Sequence, residues 1–439
     1  MYGTRAVVLG AGIVGAACAR ELARAGLAVT VVDRGGPASA TTSHGEGNVL
    51  VSDKGPGPEL ELACLSRQLW PQVLDGIAAG SAAGRRAAAT AEWDPKGGIV
   101  VATTRAGADG LARFAAEQRA AGVQARPLET DALLEAEPFV TREHTAAVHY
   151  PEDAQVQPAG AATALLSDAL AAGAALRCGE EVRSGAVRGG RLTGVRTTRG
   201  LLEADVFVNA AGPWAGALAA RLGAPIAVEP RRGDVLVTTP LPPTVFHKVY
   251  DADYVGAVGS SEEELRTSAV VESTRAGSVL IGSSRRRVGF DDRLRPEVLS
   301  AVAAKALRLF PALAGVPVMR AYGGFRPYVP DHLPVIGADP RLPGLWHATG
   351  HEGAGIGLSV GTARLLRHLL LGGPAPMDAD AFRVDRPAVL GPASDRGRQG
   401  TTVSDVSRQR DVQHGERQHG AHQCGTRRHA PEDSREERS

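Results

Sequence analysis

The sequence predicts an α/β protein in which a parallel-sheet domain is interrupted by a lobe of antiparallel strands. Three observations predict it. Near the start, the apolar run Ala6-Val7-Val8-Leu9 enters the turn Gly10-Ala11-Gly12-Ile13-Val14-Gly15; a helical stretch follows to Ala25, and a second apolar run, Ala28 to Val32, ends in Asp33. In the last third, Gly350-His351-Glu352-Gly353-Ala354-Gly355-Ile356 opens another helical stretch. Between them, Ile226 to Arg320 reads as short strands bounded by turn residues, with one helix.

Strand, glycine turn, helix, strand, carboxylate is the order a dinucleotide site needs. Gly10 permits the tight turn, Gly12 lets the backbone approach a pyrophosphate, and Gly15 lets the helix pack on the strand. The helix dipole and the first amides, at Ile13 and Val14, then face the phosphates. Asp33, with Arg34 beside it, is placed to accept from adenosine ribose hydroxyls, and its carboxylate argues against a 2′-phosphate. A glycine-rich turn in an ordinary α/β sheet is the alternative, and at this point FAD and NAD are both open.

From Ala38 to Leu50 the chain is small, polar and punctuated by glycine, hence a loop. Thr41, Thr42, Ser43, His44, Gly47 and Asn48 suit phosphate, ribityl or ring-edge contacts, although a solvated loop reads much the same. Glu59 to Leu74 has helical apolar spacing. A strand is expected at Gly98 to Thr103, a helix at Asp109 to Ala121, an amphipathic piece at Asp131 to Glu135, and, after Pro158, a helix at Ala159 to Ala172. Strands follow at Ala175 to Cys178, Glu181 to Val187, Leu192 to Thr197 and Ala204 to Asn209. The last enters Ala210-Ala211-Gly212-Pro213-Trp214, small residues that let a ligand lie against a strand end. The lobe should hold strands at Asp234 to Thr238, Val245 to Tyr250, Ser268 to Glu272 and Ser278 to Ser283, and a helix at Pro296 to Phe310. A lobe of this kind roofs a cofactor site.

The glycine-rich helix start at Gly350 to Ile356 separates the two cofactors. Bared amides and a helix dipole stabilise negative charge developing on a ring held against them. A flavin gains such charge on reduction and NAD has no such need, so FAD is expected.

Composition bounds the rest. A chain of 439 residues can bury two cores, and a net charge of +1 gives no support for a nucleic-acid surface. Cys18, Cys64, Cys178 and Cys424 form no CxxC, which points to a reducing compartment and no structural zinc. No uncharged apolar run reaches the roughly 18 residues of a spanning helix, so a cytoplasmic protein is expected. From Gly391 to Ser439 there is no Leu, Ile, Phe, Trp or Tyr. Such a stretch buries too little apolar surface to offset its ordering entropy and should be disordered.

Several separated motifs stand in one order: the Gly10 to Gly15 turn with Asp33, Val208-Asn209-Ala210-Ala211-Gly212-Pro213-Trp214, Gly324-Phe325-Arg326-Pro327 with Pro330-Asp331, and Gly350-His351-Glu352-Gly353. On these, the chain from about Arg5 to Arg386 resembles the FAD-dependent D-amino acid oxidase family, which includes glycine oxidase, sarcosine oxidase, D-amino acid dehydrogenase and the hydrogen cyanide synthase flavoprotein subunits. The resemblance implies a Rossmann-type FAD-binding domain from residues 1–90, 150–225 and 321–390, and an inserted antiparallel α+β substrate domain from residues 91–149 and 226–320. It adds Val182, Ala211, Gly212, Trp214 and Arg326 to the expected FAD contacts.

In that family the arginine matching Arg326 grips the substrate carboxylate, a two-pronged contact that suits guanidinium; a structural ion pair is the alternative. Tyr250, Tyr254 and Tyr328 are candidates for the pocket wall, against a reading as core or surface tyrosines. His44 resembles a histidine that carries covalent flavin in some relatives, against a plain loop histidine. The implied activity is oxidation of the C–N bond of a small amino acid (a D-amino acid, glycine, sarcosine or a proline analogue) by hydride transfer to flavin, giving an imino acid that hydrolyses. No side-chain base is required. Oxygen, a quinone or a partner subunit is the electron acceptor; membrane association is open. The alternatives are one subunit of a hetero-oligomeric dehydrogenase and a non-catalytic FAD-binding protein.

Overall fold

Strand Arg5–Leu9 sits inside a six-stranded sheet, between Ala28–Val32 and Val206–Asn209 and parallel to both. The computed structural model describes residues 3–252 and 265–391; Tyr254 and the tail expected to be disordered, apart from Gly391, lie outside them. Ala175–Arg177 extends the sheet beside Ala28–Val32, Leu345–Thr349 beside Val206–Asn209, and only the edge strand Val335–Ala338 runs antiparallel. Apolar residues on both faces are what an interior parallel strand requires. Leu9 lies level with Val32 and Asn209, so the turns at Gly10, Asp33 and Ala210 emerge together at one edge of the sheet. Helix Ile13–Arg24 packs its buried Ala16, Ala17, Cys18 and Ala19 between helices Pro158–Ala171 and Gly355–Leu371.

The second sheet has eight strands, in the order Val318–Tyr328, Glu229–Thr238, Val279–Arg285, Arg266–Ser273, Lys248–Asp251, Gly98–Ala102, Ala146–Tyr150, Arg126–Pro127. Pairing is antiparallel except between Lys248–Asp251 and Gly98–Ala102, which run parallel. Val302, Ala306 and Leu309 of helix Pro296–Leu309 share a core with Leu236, Ala269, Val271 and Ile281 of this sheet. Helix Ala82–Ala89 and strand Ala146–Tyr150 were not expected. The boundary expected at 320/321 falls inside strand Val318–Tyr328, whose partner is Glu229–Thr238, with Arg326 level with Arg231 and Gly324 level with Gly233.

Asp153 ties the segment after strand Ala146–Tyr150 to Val51 and Ser52, just past the loop. It is 1 % exposed and accepts from the Val51 amide at 2.9 Å, the Ser52 amide at 3.3 Å and the Ser52 hydroxyl. Burial pushes its carboxyl up to about 7, against the opposing pull of the Ser52 and Val51 hydrogen bonds. An unfolded aspartate titrates near ~4, so the folded chain keeps this proton to higher pH, and the group's contribution to stability falls as pH rises from about 4 to about 7. Melting temperatures measured across that window should therefore fall less in Asp153→Asn than in the unaltered chain. Parallel curves would refute the assignment.

Candidate active site

The strand-end edge of the six-stranded sheet and one face of the eight-stranded sheet enclose a cavity of about 420 Å³, within the ~300–1,000 Å³ of ligand pockets. Gly10, Gly12, Ile13, Val14, Asp33 and Arg34 line it from the first glycine turn, and Thr41, Thr42, His44, Gly47 and Asn48 from the loop. Val182, Ala211, Gly212 and Trp214 line it too, as do Arg326, His351, Glu352, Gly353, Gly355 and Ile356. Motifs more than 300 residues apart in sequence thus converge on one space.

Six of the expected residues do not line it. Gly15 lies beneath, where an added Cβ would stand 2.0 Å from the Gly10 carbonyl oxygen. The Ser43 hydroxyl turns back to the Ala40 carbonyl at 3.0 Å. Gly350 packs against Val329 with φ +78°, and Ala354 faces a separate small recess. Tyr250 is fully buried in the core, its hydroxyl donating to Ser52, because all four residues of its strand are enclosed. Tyr328 is 2 % exposed, with the Arg231 guanidinium 5.5 Å from its ring centre.

The nucleotide end is built from backbone. The Asp33 carboxylate accepts from the Ala11 amide at 2.8 Å and from the Gly35 amide at 2.7 Å. Each oxygen keeps a second lone pair, so the pinned carboxylate can still accept from hydroxyls in the cavity. Gly12 begins the helix without a side-chain cap, while Thr42 Oγ1 accepts from the Ile13 amide at 3.0 Å and holds the loop over the turn. Gly47, at φ +93°, crosses so close to Val156 that a Cβ would stand 1.9 Å from its carbonyl oxygen. The Ile13 amide, expected to face the phosphates, is thus taken by Thr42, and the Asp33 acceptors with the side-chain-free Gly10 and Gly12 turn are what fit FAD.

At the other end Arg326 reaches across the sheet. Its Nη1 donates to the Ser284 carbonyl at 2.9 Å, and the guanidinium lies on Gly233, where a Cβ would come within 2.1 Å of Nη1. The start of helix Gly355–Leu371 is close by, since a Cβ on Gly353 would be 3.5 Å from Arg326 Nε. Buried charge around it is paired. Arg232 and Arg286 share Asp234 at 2.9 and 3.1 Å, and Arg231 and His332 share Glu352. Burial works against charge on Glu352, yet the His332 hydrogen bond with Arg231 and Arg285 holds its carboxyl below the usual range. His351 is held neutral by burial, which lowers it to about 3, and its Nε2 meets Thr362 Oγ1 at 2.9 Å.

His44 sets its Nδ1 2.7 Å from the Ala40 carbonyl and its ring edge-on to Tyr322 at 5.7 Å. Sequence reasoning missed Glu46, Glu180, Glu181, Arg221 and Phe325, all of which line the cavity. Glu181 pairs with Arg221 at 2.9 Å, forty residues away, which no local pattern reports. Phe290 was missed as well: its ring stacks on Trp214 at 5.2 Å and meets Phe325 edge-on at 5.3 Å, while Arg34 lies 4.1 Å over Trp214.

Comparison with known proteins gives relatives along the same span. Glycine oxidase of Pseudomonas aeruginosa is 31 % identical over 382 residues, covering 84 % of this chain and 95 % of its own. A bifunctional ThiO/ThiG protein of Nostoc sp. is 29 % identical, and the chain spans about half, 52 %, of its length. The crystal structure of glycine oxidase from Geobacillus kaustophilus superposes with a TM-score of 0.78 at 26 % identity, over 88 % of this chain and 99 % of that one. The family model described as FAD dependent oxidoreductase matches residues 5–369, and the chain belongs to that family, the DAO family of FAD-dependent oxidoreductases.

Proposed function

We propose that the chain oxidises the C–N bond of a small amino acid, of the glycine, sarcosine, proline or D-amino acid type, to an imino acid that hydrolyses in water. Bound FAD would supply the ring that accepts the hydride. Gly10, Gly12, Ile13, Val14, Asp33, Arg34, Val182, Ala211, Gly212 and Trp214 would hold its nucleotide and ribityl parts, and the helix start at Gly353 to Ile356 would stabilise charge on its reduced ring. Arg326 takes the substrate carboxylate. The six-stranded sheet thus carries the cofactor and the eight-stranded sheet the substrate wall.

The observation that carries the reading is the placement of Arg326: a guanidinium oriented by the Ser284 carbonyl, on a glycine floor, in the wall of the cavity that the dinucleotide motifs open. Amino acids carry the matching carboxylate next to the bond to be oxidised, so fixing one end positions the other. Similarity to glycine oxidases supports the small substrate. No helix among the described residues is long and apolar enough to cross a membrane.

An anaerobic screen tests the reading. Purified FAD-loaded protein mixed with glycine, sarcosine, D-alanine and proline should lose its flavin absorption with at least one of them. Regain of colour in air with release of peroxide would identify an oxidase, and regain only with a dye a dehydrogenase that passes electrons onward. No bleaching by any amino acid would sink the reading and favour a chain that only binds FAD.

A further inference from the structure

We propose that Glu46 is a second substrate-binding residue, and that its carboxylate receives the charged amine of the amino acid whose carboxylate Arg326 holds; this rests on the amino-acid reading above. Glu46 lines the cavity, is only 8 % exposed, and its Oε1 has no hydrogen-bond partner among the described residues. A buried carboxylate oxygen without a donor is costly, which points to a donor supplied from outside the chain. Two residues on, Asn48 also lines the cavity and its Oδ1 is likewise unpaired among the described residues. Both open positions are acceptors, so the missing group is a hydrogen-bond donor.

Nearby cations are already taken. Lys248 gives its ammonium to Glu272 at 2.6 Å, and Arg232 and Arg286 are shared by Asp234. The Asn48 amide stands 3.5 Å from Glu46 Oε2, at the limit of a hydrogen bond, and leaves Oε1 unserved.

Placement relative to Arg326 sets the chemical class. Glu46 Oε1 rests on Gly282, where a Cβ would stand 2.0 Å from it, as Arg326 Nη1 rests on Gly233 while donating to Ser284. Gly233 and Val235, two residues apart on one strand, line the cavity together with Glu46 and Arg326, and His44, two residues before Glu46, rests on Gly324, which is level with Gly233. Acid and guanidinium therefore lie over the same glycine-floored face. Their anchor points, Gly282 and Ser284, are two residues apart on strand Val279–Arg285. An α-amino acid bridges such a gap with its carboxylate toward Arg326 and its nitrogen toward Glu46. A 2-hydroxy acid offers Arg326 the same carboxylate and leaves Glu46 buried without a counter-charge.

The test uses two ligands that cannot be turned over, because their α-carbons cannot yield a hydride to form an imine: α-aminoisobutyrate, which has no α-hydrogen, and isobutyrate, which has no nitrogen. Binding to the FAD-loaded full chain is read from the perturbed flavin spectrum and by calorimetry. The unaltered protein should favour α-aminoisobutyrate, and Glu46→Gln should weaken that ligand about ten- to hundred-fold while moving isobutyrate less than about two-fold. Equal weakening of both ligands, no change in either, or an unaltered protein without preference for the amine overturns the proposal. Arg326→Leu serves as the separate arm. If it leaves isobutyrate binding unchanged, the carboxylate clamp of the amino-acid reading is wrong, while the Glu46 comparison still gives its own answer.

Discussion

Arg326→Leu should raise the substrate concentration needed for half-saturation by about 100-fold or more while the protein keeps its FAD and its colour. Two parallel charge-assisted hydrogen bonds are lost at once, each of them on the order of 1.5–3 kcal/mol. Leucine cannot accept a solvating role for the carboxylate, which would then enter an apolar slot beside Gly233. The rest of the buried charge should survive, because Arg231, Arg232 and Arg286 are paired with Glu352 and Asp234 independently of Arg326. Arg326→Lys should recover part of the loss only, since an ammonium makes a point contact in place of a fork. Steady-state kinetics with the best substrate from the anaerobic screen decides it. An unchanged half-saturation would remove Arg326 from the substrate site.

Gly15→Ala should cost both stability and cofactor. The new methyl would stand 2.0 Å from the carbonyl oxygen of Gly10 and 3.0 Å from its carbon, and both are backbone atoms in a tight turn. Neither can swing aside, so helix Ile13–Arg24 must lift from strand Arg5–Leu9. Overpacking of this kind costs roughly 1–3 kcal/mol. The same lift moves the start of the helix away from the pyrophosphate, so FAD affinity falls and the stabilisation that bound FAD lends the fold falls with it. Melting of the loaded protein should come several degrees lower and released flavin should be detectable after gel filtration. Gly110→Ala is the control: it lies within helix Arg105–Ala120 with nothing within 4 Å of an added Cβ, and helix propensity there favours alanine. If the two variants melt alike, the argument from close packing at Gly15 is wrong.

The first glycine turn, Asp33 and the Gly353 to Ile356 helix start were legible because each obeys a local rule: a turn needs glycine, and a parallel strand is apolar on both faces. The strand that carries Arg326 obeyed none. Val318–Tyr328 and its partner Glu229–Thr238 bring Arg231, Arg232 and Asp234 into the interior as paired charge and Arg326 to the cavity wall, so neither shows apolar alternation where it matters. The sequence reading saw only the Asp234 to Thr238 half. Tyr250 was a candidate for the pocket wall against a reading as a core tyrosine, and the core is where it lies: its strand is enclosed on both faces and its hydroxyl finds Ser52. Glu46 was invisible in the sequence for a different reason. Its significance lies in what it fails to touch, and only a fold can show a missing partner.

The layout of the six-stranded sheet has a kinetic consequence. Its strand Arg5–Leu9 is made before the other strands of the sheet, but one of its two neighbours, Val206–Asn209, arrives some two hundred positions later, and Leu345–Thr349 must then dock beside that neighbour. Closing so long a chain loop precedes any reward from the contacts it makes, which slows the search. During synthesis strands Arg5–Leu9 and Ala28–Val32 therefore wait with one apolar edge bare until Val206–Asn209 has emerged.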